Sequence, residues 1–138
     1  MEEAGKMKTL TLEEAAIFHG HLGPFLTLGY IAGKEAVKRV ESKSPFEIKA
    51  IITCPQETPY TCFIDGVQCS TLCTMGKCNI SSFAGSGITL KLEKRDGKTI
   101  TIKVREEVIE KIRNIGLEEG ARWVLEQPLE KLFIILEE

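Results

Sequence analysis

The residues best suited to chemistry are two histidines and a group of cysteines. His19 and His21 are the only histidines, and they stand in Phe18-His-Gly-His-Leu-Gly-Pro24. Imidazole is the commonest metal ligand and the commonest acid–base group near neutral pH. Glycine at a predicted helix end lets the backbone approach a ligand closely. The alternative is that one histidine caps the helix and the other packs at a turn, but the pairing favours a functional site.

Four of the five cysteines fall in one short segment, at positions 62, 69, 73 and 78. If this segment is helical, Cys62, Asp65, Cys69 and Cys73 share one stripe. Mixed imidazole and thiolate ligation suits zinc or a similar transition metal. We therefore predict a metal site, with zinc as the first expectation, held by His19, His21, Cys62 and Cys73. The alternative is that the cysteines are small buried apolar residues, which is the interpretation preferred for Cys54.

Other polar residues of this segment have candidate roles beside the metal ligands. Asp65 is a candidate acid–base group or an orienting partner for a ligand, and Cys62 is a second candidate catalytic residue. Gln68, one turn after Asp65, and Lys77, in a glycine turn, are candidates for binding a cofactor or an anionic substrate group. A solvated helix face is the alternative for Asp65 and Gln68, and a plain helix stop is the alternative for Lys77.

Composition narrows the class of protein. The chain has 138 residues, 43% of them hydrophobic, and a net charge of −2, which favours one domain over residues 1–138 and disfavours nucleic-acid binding. The N-terminal residues lack the apolar run of a secretory signal, and no stretch suits a membrane span. We therefore expect a cytoplasmic protein without a membrane partner, and an odd number of cysteines there argues against a disulfide framework.

Hydrophobic patterns predict the elements that position these residues. A capping box at Thr11 and Glu14 predicts a helix that ends at His19, and the sheet is anchored by a hairpin turning at Asp96-Gly97. The order predicts an α+β fold with a mostly antiparallel sheet packed with helices. The predicted helices are 12–19, one from 24 to about 40, 62–74, 106–114 and 117–127; the predicted strands are 46–54, 88–93, 99–104 and a buried 132–136.

Four separated motifs together resemble the E-subunit family of formylmethanofuran dehydrogenase. They are the histidine segment, Gly29-Tyr30, Cys62-x-x-Asp-Gly-Val-Gln68, and Cys73-Thr-x-Gly-Lys-x-Asn79, in the family's order and at comparable spacing. The resemblance covers roughly residues 11–104 and is to the core domain, without the zinc-finger extension of some relatives. It implies an α+β core with a His/Cys site able to bind metal.

The resemblance also implies partner subunits, and this sequence departs from the family's pattern at three positions. The family name implies association with subunits of the molybdenum or tungsten enzyme that reduces carbon dioxide to formylmethanofuran in methanogenesis, and the pterin cofactor would belong to those partner subunits. Many relatives have cysteine where Leu22 stands, and glycine is usual at Leu72 and Cys78. Cys69 and Cys78 therefore inherit no family role.

Three hypotheses follow for the function. The first is an accessory subunit of formylmethanofuran dehydrogenase with a His/Cys metal site. The second is a free-standing small metalloenzyme with an open metal position, and the third is a metal-binding or thiol-redox protein without catalysis. Whether the chain catalyses a reaction by itself stays open. A homodimer is expected, because the strands are few and an exposed sheet edge or an apolar helix face would need cover.

Overall fold

The computed structural model describes residues 7–138, which form six α-helices and a five-stranded sheet. A single turn of 3₁₀ helix, Pro45–Glu47, precedes the first strand. In chain order the elements are α1 (Leu12–His19), α2 (Pro24–Val40), β1 (Ile48–Cys54), α3 (Cys62–Thr71), β2 (Ile80–Ala84), β3 (Thr89–Lys94), β4 (Thr99–Val104), α4 (Glu106–Arg113), α5 (Leu117–Glu126), α6 (Leu129–Leu132) and β5 (Phe133–Glu137).

The sheet has the strand order β2-β1-β3-β4-β5. Strands β1 and β2 run parallel, with α3 in the connection between them, and the other neighbouring pairs run antiparallel. One face is apolar and buried beneath the helices, with α2 packed on β3 and β4. The expected α+β class with a mostly antiparallel sheet is therefore confirmed.

The first two helices begin where the sequence predicts. The Thr11 hydroxyl accepts from the Glu14 amide, and the Glu14 carboxylate accepts from the Thr11 amide, which completes the capping box. Gly20 ends α1 with a φ of 114°, a left-handed angle that glycine adopts without strain. Pro24 then opens α2 at a first-turn position. The short break between the helices leaves His19 and His21 at their junction.

Helix α3 ends earlier than predicted. Leu72 adopts a φ of 62°, so the helix stops at Thr71 and not near residue 74. Cys73 therefore lies outside the helix, and the predicted single stripe from Cys62 to Cys73 is wrong at its last member. The stripe holds for Cys62, Asp65 and Cys69.

The sheet differs from the prediction at both edges. Strand β2 was not predicted, since Ile80–Ala84 carries two serines and lacks a clear alternation. Strand β5 was predicted to be buried, but it pairs only with β4 and lies at the other edge. As a result Ile134 and Leu136 are exposed, although Phe133 is buried. None of the helices described in residues 7–138 is long and apolar enough to cross a bilayer.

Helices α2 and α3 approach each other at the backbone. A Cβ on Gly29 would overlap the carbonyl oxygen of Phe63, and a Cβ on Gly66 would overlap that of Leu26. Glycine is therefore the residue that fits at both positions. This contact fixes the height and rotation of α3, and with them the place of Asp65, the residue directly before Gly66.

Candidate functional site

The centre of the candidate site is a hydrogen bond between His19 and Asp65. Nδ1 of His19 lies 2.6 Å from Oδ2 of Asp65, and the two side chains are 11% and 35% exposed. A carboxylate only accepts hydrogen bonds, so Nδ1 is the donor. In the neutral imidazole the lone pair is then on Nε2. This is the arrangement by which proteins orient a histidine that ligates a metal or moves a proton.

The other nitrogen of His19 has no partner of its own. Nε2 is buried and makes no hydrogen bond within residues 7–138. Burying a polar atom without a partner costs about 1–3 kcal/mol, and native proteins seldom do so without a reason. A group that bound Nε2 would remove this cost. Nε2 is therefore the atom of the site that most directly indicates a ligand.

His21 lies beside His19 and is more exposed. The two ring centroids are 4.8 Å apart, and the planes are tilted by 54°. A Cβ on Gly23 would lie 3.4 Å from the His21 ring and 3.2 Å from the side chain of Leu117, at the start of α5, so both side chains border this glycine. The structure thus brings His19, His21 and Asp65 together at the junction of α1 and α2. The sequence alone could not establish this proximity.

The segment before α1 is held to both neighbouring helices. The Leu10 amide donates to the Cys69 carbonyl on α3 at 3.2 Å, and the Tyr30 hydroxyl on α2 donates to the Leu10 carbonyl at 2.7 Å. These bonds fix the start of the helix whose last residue is His19. Tyr30 was noticed in the sequence only within the family resemblance. Its positioning role has no local signal, because its partner lies 20 residues away.

Cys62 and Cys69 lie one turn on either side of Asp65. Burial raises the pKa of the half-buried Cys62 thiol, and the charge of Asp65 raises it further. The same two causes, in the same order, raise the pKa of buried Cys69 to about 11. Both residues are therefore thiols at neutral pH. Either one would have to lose its proton to act as a thiolate ligand or a nucleophile.

The structure does not place Cys73 with the histidines. It is fully buried in the hydrophobic core, where its Sγ is 4.0 Å from the Ile48 carbonyl, and burial raises its pKa. Within residues 7–138 no group of three or more His, Cys, Asp or Glu side chains is arranged to hold a metal ion. The predicted ligand set of His19, His21, Cys62 and Cys73 is thus not assembled here.

Lys77 lies in a closed turn at the other end of α3. Its Nζ donates to the Thr74 hydroxyl at 3.0 Å and lies 5.8 Å from the centre of the Phe46 ring. The Asn79 amide fixes the same turn, with Oδ1 accepting from the Thr74 amide at 2.9 Å. This part of the family motif therefore shapes the turn.

Half-buried Gln68, by contrast, follows Asp65 by one turn of α3 and stays near the site.

All five cysteines are free thiols in three different environments. Cys54 is fully buried, which confirms its interpretation as a core residue. Cys69 and Cys73 are also buried, Cys62 is half-buried, and Cys78 is exposed. The cysteines that are clustered along the sequence therefore differ in their exposure to solvent.

Comparison with known proteins places these residues in a described family. A family model described as "FmdE, Molybdenum formylmethanofuran dehydrogenase operon" matches residues 18–134, a span that includes every candidate from His19 to Lys77. A "Probable S-adenosyl-L-methionine-binding protein" from Archaeoglobus fulgidus is 29% identical over 119 residues, which cover 80% of this chain and 31% of that protein. The chain thus spans about a third of the length of that curated relative.

Proposed function

The chain belongs to the FmdE family, and from this membership we propose that it is a metal-binding accessory subunit that works with a formylmethanofuran dehydrogenase. The family match supports the link to that dehydrogenase, as the resemblance of the four motifs implied. The molybdenum or tungsten pterin would belong to the partner subunits. The metal in this proposal is a separate ion of the zinc type, centred on His19.

The observation that carries the metal proposal is the state of the His19 ring. Asp65 holds Nδ1, and Nε2 is buried and unpaired within residues 7–138. Proteins orient metal-bound histidines through such a carboxylate. The donor chemistry therefore fits a zinc-type ion at Nε2, and the adjacent His21 supplies a second imidazole.

A third ligand would have to move into place. Cys62 is the nearest candidate along α3, because it lies one turn before Asp65 and is half-buried. Cys73 would have to leave the core to take part. We therefore propose His19, His21 and Cys62 as the ligands. When bound, an ion of this kind with an open position acts as a Lewis acid and lowers the pKa of bound water.

Metal analysis of the natively purified protein tests this proposal. We expect about one equivalent of metal per chain, and its loss in His19→Ala because that variant lacks Nε2. Asp65→Asn should weaken metal affinity about 10–100-fold, since it removes the charge that orients His19. Cys78→Ser is the matched control, because this thiol is exposed and lies in the turn at the other end of α3. A His19→Ala variant that binds metal as tightly as the native chain would refute the site.

Affinity purification from native extract tests the partner. Recovery of molybdenum- or tungsten-containing subunits with the native chain is the expected result. The His19→Ala variant should recover the same subunits if the metal site and the docking surface are separate. A clean preparation of the native chain without such subunits would refute the accessory role and leave the metal site untouched.

A free-standing metalloenzyme is the second candidate, and the same hydrogen bond favours it. A carboxylate that orients a histidine through Nδ1 prepares Nε2 for acid–base work. Here Asp65 would orient His19, with Cys62 near the reacting group. Metal-dependent turnover of a one-carbon substrate by the chain alone, lost in Asp65→Asn, would favour this candidate over the accessory role.

The thiols bear on the third hypothesis, a metal-binding or thiol-redox protein without catalysis, and on the cellular location of the protein. Burial raises the pKa of Cys54, Cys62, Cys69 and Cys73, which makes them poor nucleophiles and disfavours a thiol-redox role. Five free cysteines are typical of a reducing compartment. We accordingly propose a cytoplasmic location and, from the exposed edge of the sheet at β5, a homodimer.

A further inference from the structure

A cavity of about 460 Å³ that is open to solvent lies among α4, α5 and α6, and it shares no lining residue with the His19 site. Its volume is in the range of ligand sites in proteins, about 300–1,000 Å³. Three cationic side chains and the only tryptophan line it: Arg105, Lys111, Lys131 and Trp123. None of the preceding roles uses these residues.

Arg105, the N-cap residue of α4, is held in place by two hydrogen bonds. Its amide donates to the Leu132 carbonyl at 2.9 Å, and its Nε donates to the Glu130 carbonyl at 2.9 Å. Within residues 7–138 its guanidinium forms no salt bridge with a carboxylate. A fixed guanidinium with free terminal nitrogens is suited to bind a carboxylate or phosphate through two parallel hydrogen bonds.

The indole of Trp123 supplies a flat apolar wall. Nζ of Lys111 lies 5.6 Å from the centre of its ring, within the range of a cation–π contact. Trp123 is half-buried, so part of the ring faces the cavity. An aromatic wall beside a fixed guanidinium and a lysine is suited to a ligand that combines a ring with a negative charge.

Two carboxylates restrict the charge of the ligand. Glu107 and Glu130 also line the cavity, so the formal charge of its lining is +1, from three cations and two anions. These two carboxylates would repel a nucleic acid or another polyanion. A small anion, by contrast, can place its charged group at Arg105. The lining therefore favours a small ligand.

From these contacts we propose that the cavity binds a small organic anion with a planar ring. Its carboxylate or phosphate pairs with Arg105 and Lys111, and its ring packs against Trp123. An aromatic carboxylate and a nucleoside monophosphate share this chemistry. The proposal is independent of the metal site, since it uses none of the residues assigned there.

Tryptophan fluorescence tests the proposal directly, because Trp123 is the only tryptophan and lies in the cavity. The native chain is titrated with benzoate and with AMP, and in parallel with acetate, inorganic phosphate and uncharged benzamide. We expect a saturable change with benzoate or AMP, at concentrations at least tenfold below those that acetate, phosphate or benzamide require. Whether benzoate or AMP binds more tightly distinguishes a carboxylate ligand from a phosphate ligand.

Three variants locate the binding. Arg105→Gln and Lys111→Met should each raise the half-saturation concentration at least tenfold. Arg122→Gln is the matched control, because Arg122 is exposed beside Trp123 on the same helix and does not line the cavity; it should titrate like the native chain. Equal affinity of the native chain for benzoate and benzamide, or no saturable change with either anion, would overturn the proposal even if a variant failed to fold.

Discussion

Within residues 7–138, three residues with side chains adopt a left-handed backbone: Glu41, Leu72 and Cys78, with φ of 59°, 62° and 58°. At two of them, Leu72 and Cys78, the resemblance led us to expect glycine in related proteins. A non-glycine residue in this conformation costs roughly 1–2 kcal/mol. The usual glycine at these positions is thus explained by the backbone of two turns, and no ligand is needed to account for it.

Cys78→Gly should therefore stabilise the protein. The side chain is exposed, so its removal loses little packing, and relief of the left-handed strain should raise the free energy of unfolding by up to about 1 kcal/mol. Urea denaturation monitored by circular dichroism measures this. Cys78→Ala removes the thiol but keeps Cβ, and it should leave stability near that of the native chain. Equal stability of the Gly and Ala variants would contradict the strain argument.

The buried thiols predict a loss of stability at alkaline pH. The pKa of Cys69 rises from 9.0 to about 11 in the folded protein, mainly through burial. Between these values the unfolded chain releases the proton and the folded chain keeps it, so the free energy of unfolding falls as the pH rises. Unfolding titrations across this window should show a smaller decrease for Cys69→Ala than for the native chain. An equal decrease would show that Cys69 does not contribute.

Sequence reasoning found the main residues of the site but not their geometry. His19 and Asp65 were each candidates because of their chemical types. Their hydrogen bond joins residues 46 positions apart, and no local pattern reports such a contact. Cys73 lies in the core just after the end of α3, and its place among clustered cysteines in the sequence does not indicate that burial.

Among the elements, the contact between α2 and α3 determines the geometry of the site. Gly66→Ala should lower the free energy of unfolding by about 3 kcal/mol, because its Cβ meets backbone that cannot move aside easily. The same variant should weaken binding at the proposed metal site, since it displaces the neighbouring Asp65. Denaturation and metal titration of one preparation measure both effects.

Gly76→Ala is the control for that variant. A Cβ at Gly76 would meet nothing within 4 Å, so the change should leave both stability and metal affinity unaltered. If Gly66→Ala behaved like Gly76→Ala, the close approach of the two helices would not be required for the site.

Strands in which apolar and polar residues alternate strongly were predicted well. Strands whose formation or burial depends on contacts with residues distant in the sequence were not. The hairpin strands β3 and β4 alternate cleanly, and β4 has the predicted bounds of Thr99–Val104. Strand β2 exists through its parallel pairing with β1, a contact across more than 25 residues for which Ile80–Ala84 carries little local signal. The apolar run of β5 suggested burial because composition alone does not distinguish a central strand from an edge strand.

For the molecule as a whole, β5 carries the prediction of a homodimer. Ile134 and Leu136 are 40% and 58% exposed at a sheet edge that has no neighbour within residues 7–138. Exposed edges of this kind invite pairing with another chain. We expect sedimentation to show a dimer that Ile134→Lys/Leu136→Lys converts to a monomer. Leu125→Lys, at an exposed apolar residue on α5, is the control and should remain a dimer. A monomeric native chain would refute the prediction.

The hydrogen bond between His19 and Asp65 also ties ligand binding to folding. It closes a long loop and depends on α1, α2 and α3 being in place together. Neither an isolated α1 nor an isolated α3 would contain the site, so a metal at Nε2 would bind the folded chain and not the unfolded one. A hundredfold excess of free metal over its dissociation constant would then shift the folding equilibrium by about 2.7 kcal/mol. Removal of a metal bound at the proposed site would therefore lower the melting temperature of the whole chain.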